Sequence, residues 1–184
     1  MRNELEKLQF FQTIRMRFGV LLLLSLNFTI ALAQRPFITE WNTGTTTSIT
    51  IPTTGSGYSY DVYWEEIGNP SNNGTVTGQS GSTTIGGLTS NKDYRIEIKG
   101  TFPRIYFNNT GDTAKIKRIT QWGDIAWSSF SGAFYGCSNL DVTASDTPIL
   151  SSVTSLFSMF RSCTSFTGSG ANWNWHVSSV ANMS

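Results

Sequence analysis

The sequence predicts an α+β protein of more than one domain, in which an antiparallel β-sandwich precedes the start of an α/β repeat solenoid. Three observations favour this fold class. An apolar run and a small-x-small site near residue 33 are typical of an export signal. Apolar and polar residues alternate, without a helical pattern, across residues 34–103. Farther on, a pattern with helical spacing recurs after 26 residues, as it does in stacked repeats.

The first element is a predicted signal peptide at residues 1–33. Two arginines precede the apolar run 18–26, and Ala31-Leu32-Ala33 forms a cleavage site before Gln34. A membrane anchor is the alternative interpretation, but the run is shorter than the ~20 residues that a span needs. We therefore expect a mature chain that begins near Gln34, lies outside the cytoplasm or on the cell surface, and has no transmembrane segment after cleavage.

The charge of the expected mature chain excludes one class of partner. It has nine Lys and Arg (13 less the four in the signal) and ten Asp and Glu (12 less two), a formal net charge of −1. Nucleic acids and acidic lipids bind basic surfaces, and this balance provides none. We expect a protein or glycan partner at the cell surface and no nucleic acid.

The second element is the sandwich at residues 34–103. Its apolar residues alternate on two predicted strands, Tyr58, Tyr60, Val62 and Trp64 on one, and Tyr94, Ile96 and Ile98 on the other. Turns rich in Gly and Asn are predicted at 68–74 and 78–82. Short antiparallel strands joined by such turns predict a β-sandwich.

Two motifs suggest what kind of sandwich this is. Leu88 lies six residues before Tyr94, which resembles the corner of fibronectin type III domains, where the Tyr hydroxyl bonds back to the loop. Residues 62–65, Val-Tyr-Trp-Glu, resemble the Trp-containing turn of PKD-like modules, without the acidic Gly-Asp-Gly of that motif. Either resemblance implies an Ig-like sandwich, and the choice between the two families stays open.

The third element connects the sandwich to the repeats. No Pro-, Gly- or Ser-rich tether separates them, so we expect residues 104–126 to cap the N-terminal edge of the solenoid. The repeats are then expected at residues 127–184.

The fourth element is a sequence repeat that occurs at residues 129–140 and again at 155–166, and a third copy begins at 179–183. Apolar residues at i, i+3, i+4 and i+7 predict a short helix in each copy, followed by a strand at 140–143 and a weaker one at 166–167 that pair in parallel with their neighbours. The predicted repeat core consists of Phe130, Ala133, Phe134, Cys137, Leu140, Leu156, Met159, Phe160, Cys163, Phe166, Val180 and Met183. We expect Phe134 and Phe160 to be equivalently buried.

The repeats resemble those of the BspA-like leucine-rich-repeat surface proteins of bacteria. Residues 175–183, Trp-His-Val-Ser-Ser-Val-Ala-Asn-Met, match the first half of their motif, and residues 159–166, Met-Phe-Arg-Ser-Cys-Thr-Ser-Phe, match the second. His176 stands where the motif has an acidic residue, and Phe166 where it has Leu. The resemblance covers 122–184 and implies a leucine-rich-repeat solenoid that serves adhesion or protein binding, without enzymatic activity.

The sequence offers no convincing catalytic, cofactor or metal residues. His176 is the chain's one histidine and is expected in a solvent-facing loop. Glu65 and Glu66 are neighbours on a predicted strand, so they point to opposite faces and are expected at an exposed sheet end. Residues 108–112 have oxygen ligands at calcium-like spacing, but a plain turn is the better interpretation because further carboxylates are missing.

Cys137 and Cys163 occupy the same position in successive copies. An exported protein can form disulfides, and stacked units would bring the two backbones within bridging distance. Parallel side-chain directions disfavour the bridge, and the resemblance implies a small buried apolar residue here. Free thiols are therefore favoured over a disulfide.

Aromatic residues near the repeat boundaries are the candidate ligand contacts. These are Trp122, Trp127, Tyr135, Trp173 and Trp175. Exposed aromatic rings in a neutral, polar protein can stack on sugars. The alternative, which we favour at repeat positions such as Trp175, is that they fill the wide loops between strand and helix.

We therefore expect a non-enzymatic secreted or surface protein that binds other proteins. Carbohydrate binding through the aromatic residues is one alternative, and the N-terminal part of a larger surface hydrolase is another. Because the third copy has no completed apolar segment before Ser184, we also expect the chain to be part of a longer product with further repeats.

Overall fold

The computed structural model describes residues 33–184, of which Gln34–Ser184 form one compact unit. Apart from Ala33, the predicted signal peptide lies outside the described residues. The strands are β1 (Phe37–Asn42), β2 (Ile49–Ile51), β3 (Ser59–Glu66), β4 (Asn69–Gln79), β5 (Thr83–Ile85), β6 (Asp93–Thr101), β7 (Ile116–Gln121) and β8 (Asp141–Val142). No helix occurs between residues 33 and 184.

The strands form two sheets. The larger sheet has the order β4-β3-β6-β1-β7-β8, and β2 pairs with β5 in the smaller one. All neighbours are antiparallel except β7 and β8, which are parallel. β4 starts directly after Gly68, so the predicted turn at 68–74 is wrong and most of that stretch is strand.

The apolar residues that alternate along β3 and β6 are mostly buried, as the alternation predicts. Tyr60, Val62, Ile96 and Ile98 are buried, and they join side chains of both sheets in one hydrophobic core. Tyr94 is also buried, and its hydroxyl accepts a hydrogen bond from the backbone N–H of Thr89 at 2.9 Å. This is the contact that the Leu88–Tyr94 motif predicts.

The predicted fold class is nevertheless wrong. The described chain is all-β, and the predicted α/β solenoid of helix-and-strand units is absent from residues 33–184. The strands expected in a separate sandwich belong to a mixed sheet, because β1 pairs with β6 on one side and with β7 on the other. The sheet thereby continues past residue 103 into β7 and β8.

Successive tight turns replace the predicted helix of the first copy. The N–H of Ala133 bonds to the carbonyl of Phe130, and that of Cys137 to Phe134, both at 3.0 Å. The third residue of each turn is left-handed, Gly132 at φ 65° and Gly136 at φ 86°. A turn of this kind requires positive φ at that residue, whereas an α-helix excludes it. Turns every three or four residues return apolar side chains to the core and so imitate helical spacing.

The second copy adopts the same turns. Met159 bonds back to Leu156 at 3.0 Å, and Cys163 bonds back to Phe160 at 3.1 Å. The left-handed positions are now Ser158 (φ 52°) and Ser162 (φ 61°), 26 residues after the two glycines. The two copies therefore share one backbone path although only one has glycine at the left-handed positions.

The copies stack in register. We call residues 130–137 the second turn layer and 156–163 the third turn layer. The N–H groups of Phe130, Gly132, Phe134 and Gly136 donate to the carbonyls of Ser155, Phe157, Met159 and Arg161, at 2.8–3.1 Å. Each bond joins residues 25 positions apart, so the backbone groups of one layer are satisfied by the next layer instead of by a helix turn.

A first turn layer, residues 106–109, lies on the other side and was not anticipated. The N–H of Phe107 donates to the carbonyl of Ala133 at 3.0 Å, and Asn109 donates to Tyr135 at 2.8 Å. Asn109 is left-handed (φ 62°), as Gly136 is in the second layer. The layer was missed because Asn109 stands where the copies have Gly136 and Ser162, and only Phe107 keeps the apolar pattern.

The strand predictions were right for one copy. β8 pairs in parallel with β7, with Arg118 opposite Asp141. The weaker strand predicted at 166–167 is wrong: the N–H of Thr167 is taken by the Asp141 side chain, at 3.0 Å, and not by a strand ladder.

Burial of the predicted repeat core decreases from the second layer outward. Phe130, Ala133, Phe134, Cys137 and Leu140 are fully buried, and Met159 nearly so. Leu156, Phe160, Cys163, Phe166 and Val180 are partly buried, and Met183 is 65% exposed. The expectation that Phe134 and Phe160 are equally buried is thus wrong. The core position predicted for Met183 is wrong as well. Both differences arise because the third layer is covered mainly on its inner side.

Candidate binding surface

Two of the candidate ligand-contact aromatics lie in the core. Trp122 and Trp127 are at most 1% exposed, with ring centroids 6.3 Å apart in edge-to-face packing. Phe37 of β1 contacts both, at 5.8 Å and 5.0 Å. They hold the sheet against the turn layers and are inaccessible to a ligand.

Tyr135 lies apart from the other candidates. It is partly exposed, and the guanidinium of Arg161 lies 5.1 Å from its ring centroid, a cation–π contact between the second and third turn layers. One face of Tyr135 is therefore already occupied.

Trp173 and Trp175 form the accessible aromatic pair. Their centroids are 5.3 Å apart, and Trp173 is 44% exposed. Both indole N–H groups are satisfied locally, by the carbonyls of Gly168 at 3.0 Å and Asn172 at 2.9 Å. The pair therefore offers apolar ring surface but no free indole donor.

Trp175 connects the core to a surface cleft. It contacts buried Trp122 edge-on, at 5.3 Å, and its other side lines a cleft of about 510 Å³ on the third turn layer. The lining is mostly apolar and includes Leu156, Phe157, Phe160, Arg161, Trp175 and Met183. Phe157 is 44% exposed and Met183 65%. We call this the terminal cleft.

The turn geometry positions Phe160 in the terminal cleft. Its ring stacks on Phe134 at 5.6 Å with an interplanar angle of 10°, and Phe134 in turn lies 6.3 Å from Phe107. The three residues belong to successive layers and form an aromatic column. The outer face of Phe160 is only partly covered, so the column ends at the cleft.

On the backbone edge beside the cleft, two of four alternate N–H groups are hydrogen-bonded within residues 33–184. Leu156 donates its N–H to the carbonyl of Asn182, and Ser158 to that of Ser184, both at 2.7 Å. Among residues 33–184, no acceptor is found for the N–H groups of Phe160 and Ser162. The equivalent groups of the second layer, those of Phe134 and Gly136, are both bonded. Within residues 33–184, the terminal cleft thus combines apolar side chains with two main-chain donors that have no acceptor.

Asp141 and Asp146 link neighbouring segments of the chain and were not predicted from the sequence. Asp141 accepts from the N–H groups of Thr167 and Gly168, at 3.0 Å and 2.7 Å, and from the Thr167 hydroxyl at 2.6 Å. Although burial opposes it, these hydrogen bonds lower the pKa of Asp141 to about 2. Asp146 accepts from the N–H of Trp122 at 2.9 Å. The sequence feature that could have indicated the Asp141 contact is its place one repeat before a Thr-Gly pair at residues 167–168.

The adjacent carboxylates of Glu65 and Glu66 both accept hydrogen bonds from neighbouring side chains. Glu66 is 7% exposed and accepts a hydrogen bond from the Asn72 amide at 2.7 Å, so the expectation of an exposed sheet end is wrong for it. A β-bulge between Glu65 and Glu66 accounts for the difference. Glu65 accepts from the hydroxyl of Tyr63 at 3.0 Å.

The remaining predicted positions are ordinary surface features. His176 is exposed, as predicted. Residues 108–109 form a turn, and Asp112 pairs with Lys115 at 2.9 Å, which confirms the plain turn. Among the residues with described positions, no group of three or more His, Cys, Asp and Glu is placed to hold a metal ion.

Cys137 and Cys163 are free thiols. Cys137 is buried, while Cys163 is partly buried and donates its S–H to the carbonyl of Phe134 at 3.2 Å. Burial raises the pKa of both thiols, to about 11 for Cys163. They act as small apolar residues between the second and third turn layers.

Residues 33–184 contain no helix that is long and apolar enough to cross a membrane. Comparisons of the chain with protein-family models, with curated proteins and with solved structures find no match.

Proposed function

We propose that this chain is a non-enzymatic secreted or cell-surface protein that binds other proteins through the terminal cleft, and that this binding serves adhesion. The resemblance of residues 122–184 to BspA-like repeats supports a place among bacterial surface proteins. The order of charged, apolar and small residues in the first 33 positions supports export. The terminal cleft is the observation that carries the proposal.

Exposed apolar side chains favour a protein partner for this cleft. Contiguous exposed apolar surface on a soluble protein marks an interaction site, and aromatic and Met side chains are enriched at the centres of protein interfaces. Phe157 and Trp175 are the aromatic side chains of the cleft, and Met183 is its exposed Met side chain. Arg161 also lines the cleft. Removing these side chains from water would drive association, at roughly 25 cal/mol per Å² of apolar surface.

Carbohydrate binding is the second candidate, because Trp173 and Trp175 present accessible ring surface. Sugar sites also need polar side chains that bond to hydroxyl groups, and the terminal cleft is lined mainly by apolar residues. A protein partner therefore fits the lining better.

Peptide phage display and a glycan array would distinguish the two candidates. We expect the protein to enrich a peptide family, and Phe157→Ser to abolish the enrichment, while the glycan array stays blank. Ile67→Ser is the matched control, since Ile67 is 46% exposed but lies at the β3–β4 turn, outside the cleft lining. Glycan binding that Trp173→Ala removes, with no enriched peptide, would overturn the proposal.

A further inference from the structure

Building on the export part of the proposed function, we propose that the Ala33–Gln34 bond is cut before the protein folds, because the folded protein holds residues 34–36 firmly against later parts of the chain. The precursor then reaches its signal peptidase unfolded. Hydrolysis consumes one water and leaves a carboxyl group on Ala33 and an amino group on Gln34.

The side chain of Gln34 is fixed by the backbone at the end of β6 and by a later loop. Its Oε1 atom accepts from the N–H of Gly100 at 2.7 Å. Its Nε2 group donates to the carbonyls of Gly100 and Asp124, both at 3.4 Å. Both polar atoms of the amide are thus engaged. The first residue after the predicted cleavage site therefore belongs to the folded structure, and the compact unit likewise begins at Gln34.

Arg35 is held through its backbone as well as its side chain. Its N–H donates to the Asp124 carboxylate at 2.8 Å, and its carbonyl accepts from the Asp124 N–H at 3.0 Å. The guanidinium donates to the same carboxylate at 2.9 Å and lies 3.4 Å from that of Asp146. Hydrogen bonds from the Arg35 side chain and N–H lower the pKa of Asp124. Because an exposed ion pair contributes little, the two backbone contacts are the firmer part of this attachment.

Pro36 is held from the other side. Its carbonyl accepts from the Gln121 amide at 2.8 Å, and Gly123 lies directly against the backbone. A Cβ atom at Gly123 would be 2.3 Å from the Pro36 oxygen and 2.5 Å from the Arg35 oxygen. The next residue, Phe37, begins β1 and is fully buried. No slack therefore separates the cleavage site from the sheet.

We call residues 34–36 with these partners the N-terminal clamp, and it is incompatible with binding to a peptidase. A peptidase takes up its substrate as an extended segment whose backbone groups bond to the enzyme. In the folded protein, the N–H of Arg35 and the carbonyls of Arg35 and Pro36 are already bonded. The clamp must open first, so the rate of cutting falls with the fraction of molecules in which it is open.

The positions of the clamp partners in the chain explain how cutting can come first. Gly100, Asp124 and Asp146 lie 66, 89 and 111 residues after the residues that they hold. A chain exported from its N-terminal end presents the Ala33–Gln34 bond before these partners have emerged. Contacts of such high sequence separation also form slowly, because long loops must close first. The peptidase therefore meets an open segment.

Cutting of the full-length precursor by a purified bacterial signal peptidase tests this order. One sample is folded in detergent micelles, with folding verified by tryptophan fluorescence. Another is diluted from urea at the moment when the peptidase is added. We expect the unfolded sample to be cut after Ala33, as mass spectrometry would show, and the folded sample to be cut at least tenfold more slowly.

A spacer variant separates the clamp from the rest of the fold. Six residues, Gln-Ser-Thr-Gln-Ser-Thr, inserted between Ala33 and Gln34 keep an Ala–Gln bond at the cleavage site. They also place that bond up to about 20 Å from the clamp. We expect the folded spacer precursor to be cut within twofold of the rate of the unfolded wild type.

A matched pair of substitutions tests the clamp contacts themselves. Asp124→Ala removes the acceptor of the Arg35 N–H and should speed cutting of the folded precursor at least threefold. Asp61→Ala removes an exposed carboxylate that accepts from the Gly78 N–H, and it should leave the rate unchanged. The spacer variant keeps the test decisive if Asp124→Ala does not fold.

Equal cutting rates for the folded wild-type and spacer precursors, both rapid, would overturn the inference, since the clamp would then open freely. Slow cutting of both folded precursors, with rapid cutting of both when unfolded, would mean that something other than the clamp protects the site and would also contradict it. No cutting of the unfolded precursor would refute the export signal itself, and with it the export part of the proposed function, in favour of a membrane anchor.

Discussion

At the scale of single residues, Asp141 ties the segment around residues 167–168 to the segment that contains β8. One carboxylate accepts from Thr167 and Gly168, across one repeat, and from the N–H of Val142 at 2.9 Å. Its pKa is about 2 in the folded protein, compared with 3.8 ordinarily. The ionised form is therefore bound more favourably in the folded state, and Asp141 contributes stability above pH 4 that is lost as the pH falls toward 2.

We expect Asp141→Asn to lower the free energy of unfolding at pH 7 by about 1 kcal/mol, a value reduced for solvent screening of a partly exposed group. The difference between wild type and variant should shrink between pH 4 and pH 2. Urea denaturation across this range would measure it. Asp61→Asn, which removes an exposed carboxylate with a single bond to the Gly78 N–H, is the control. A difference that stays constant with pH would contradict the assignment.

The thiol of Cys163 provides a second residue-scale prediction. Because its pKa is raised to about 11, the thiolate fraction at neutral pH should be about 100-fold below that of an ordinary thiol. We expect iodoacetamide at pH 7.5 to label the native protein slowly and the denatured protein at the normal rate, as followed by mass spectrometry. Rapid labelling in the native state, or a disulfide without reductant, would show that the thiol is not held as described.

At the scale of elements, the turn layers depend on left-handed residues. Ser162 has φ 61° at the position that Gly136 occupies in the second layer, and a non-glycine residue in that region costs about 1 kcal/mol. We expect Ser162→Gly to raise the stability by about 0.5–1 kcal/mol. Thermal and urea denaturation would measure the change.

The converse substitution, Gly136→Ala, should destabilise the protein by about 2 kcal/mol or more. Besides the unfavourable φ of 86°, an added Cβ would lie 2.3 Å from the Asn109 Oδ1 atom. Gly55→Ala, at φ 82° but with open space around it, separates the conformational cost from the clash. Equal losses at both glycines would mean that the clash with Asn109 is relieved at no cost.

The aromatic column predicts unequal roles for two equivalent phenylalanines. Phe134 is fully buried between layers, so Phe134→Ala should cost about 3–5 kcal/mol. Phe160 also contacts Phe166, at 4.7 Å, but it is only partly buried, and Phe160→Ala should cost about 1–2 kcal/mol. Chemical denaturation of both variants would test this order. Equal losses would indicate that Phe160 is as fully buried as Phe134 in solution.

At the scale of the whole molecule, sheet and turn layers share one core. Phe37 of β1 contacts Trp122 and Trp127, and these pack on Phe130 of the second layer at 5.6 Å and 4.8 Å. We therefore expect residues 34–184 to unfold in one cooperative transition. Tryptophan fluorescence and far-UV circular dichroism should give coincident urea curves. Two separated transitions would indicate that the sheet and the turn layers are independent folding units.

The candidate surface could be predicted only in part. The sequence placed Trp173 in one candidate set with Trp122 and Trp127, but only Trp173 of these three is exposed. For Trp175 the sequence favoured a loop-filling role, and in the structure Trp175 packs on Trp122. Met183, which lines the terminal cleft, belongs to the predicted repeat core, whereas Phe157, which also lines it, lies outside that set. Which members of the pattern reach solvent depends on the layer in which each lies, and that is a property of the stack.

The sequence by itself determined the alternation that buries Tyr60, Val62, Ile96 and Ile98, and it determined the offset that places the two copies in register. Only the tertiary structure decided that the copies are turns and not helices. The reason is that apolar residues at i, i+3 and i+4 suit a helix and a series of tight turns equally well. A helix satisfies its N–H groups four residues away, whereas Phe134 is satisfied by Met159, 25 residues along the chain, and no local pattern records a partner at that distance.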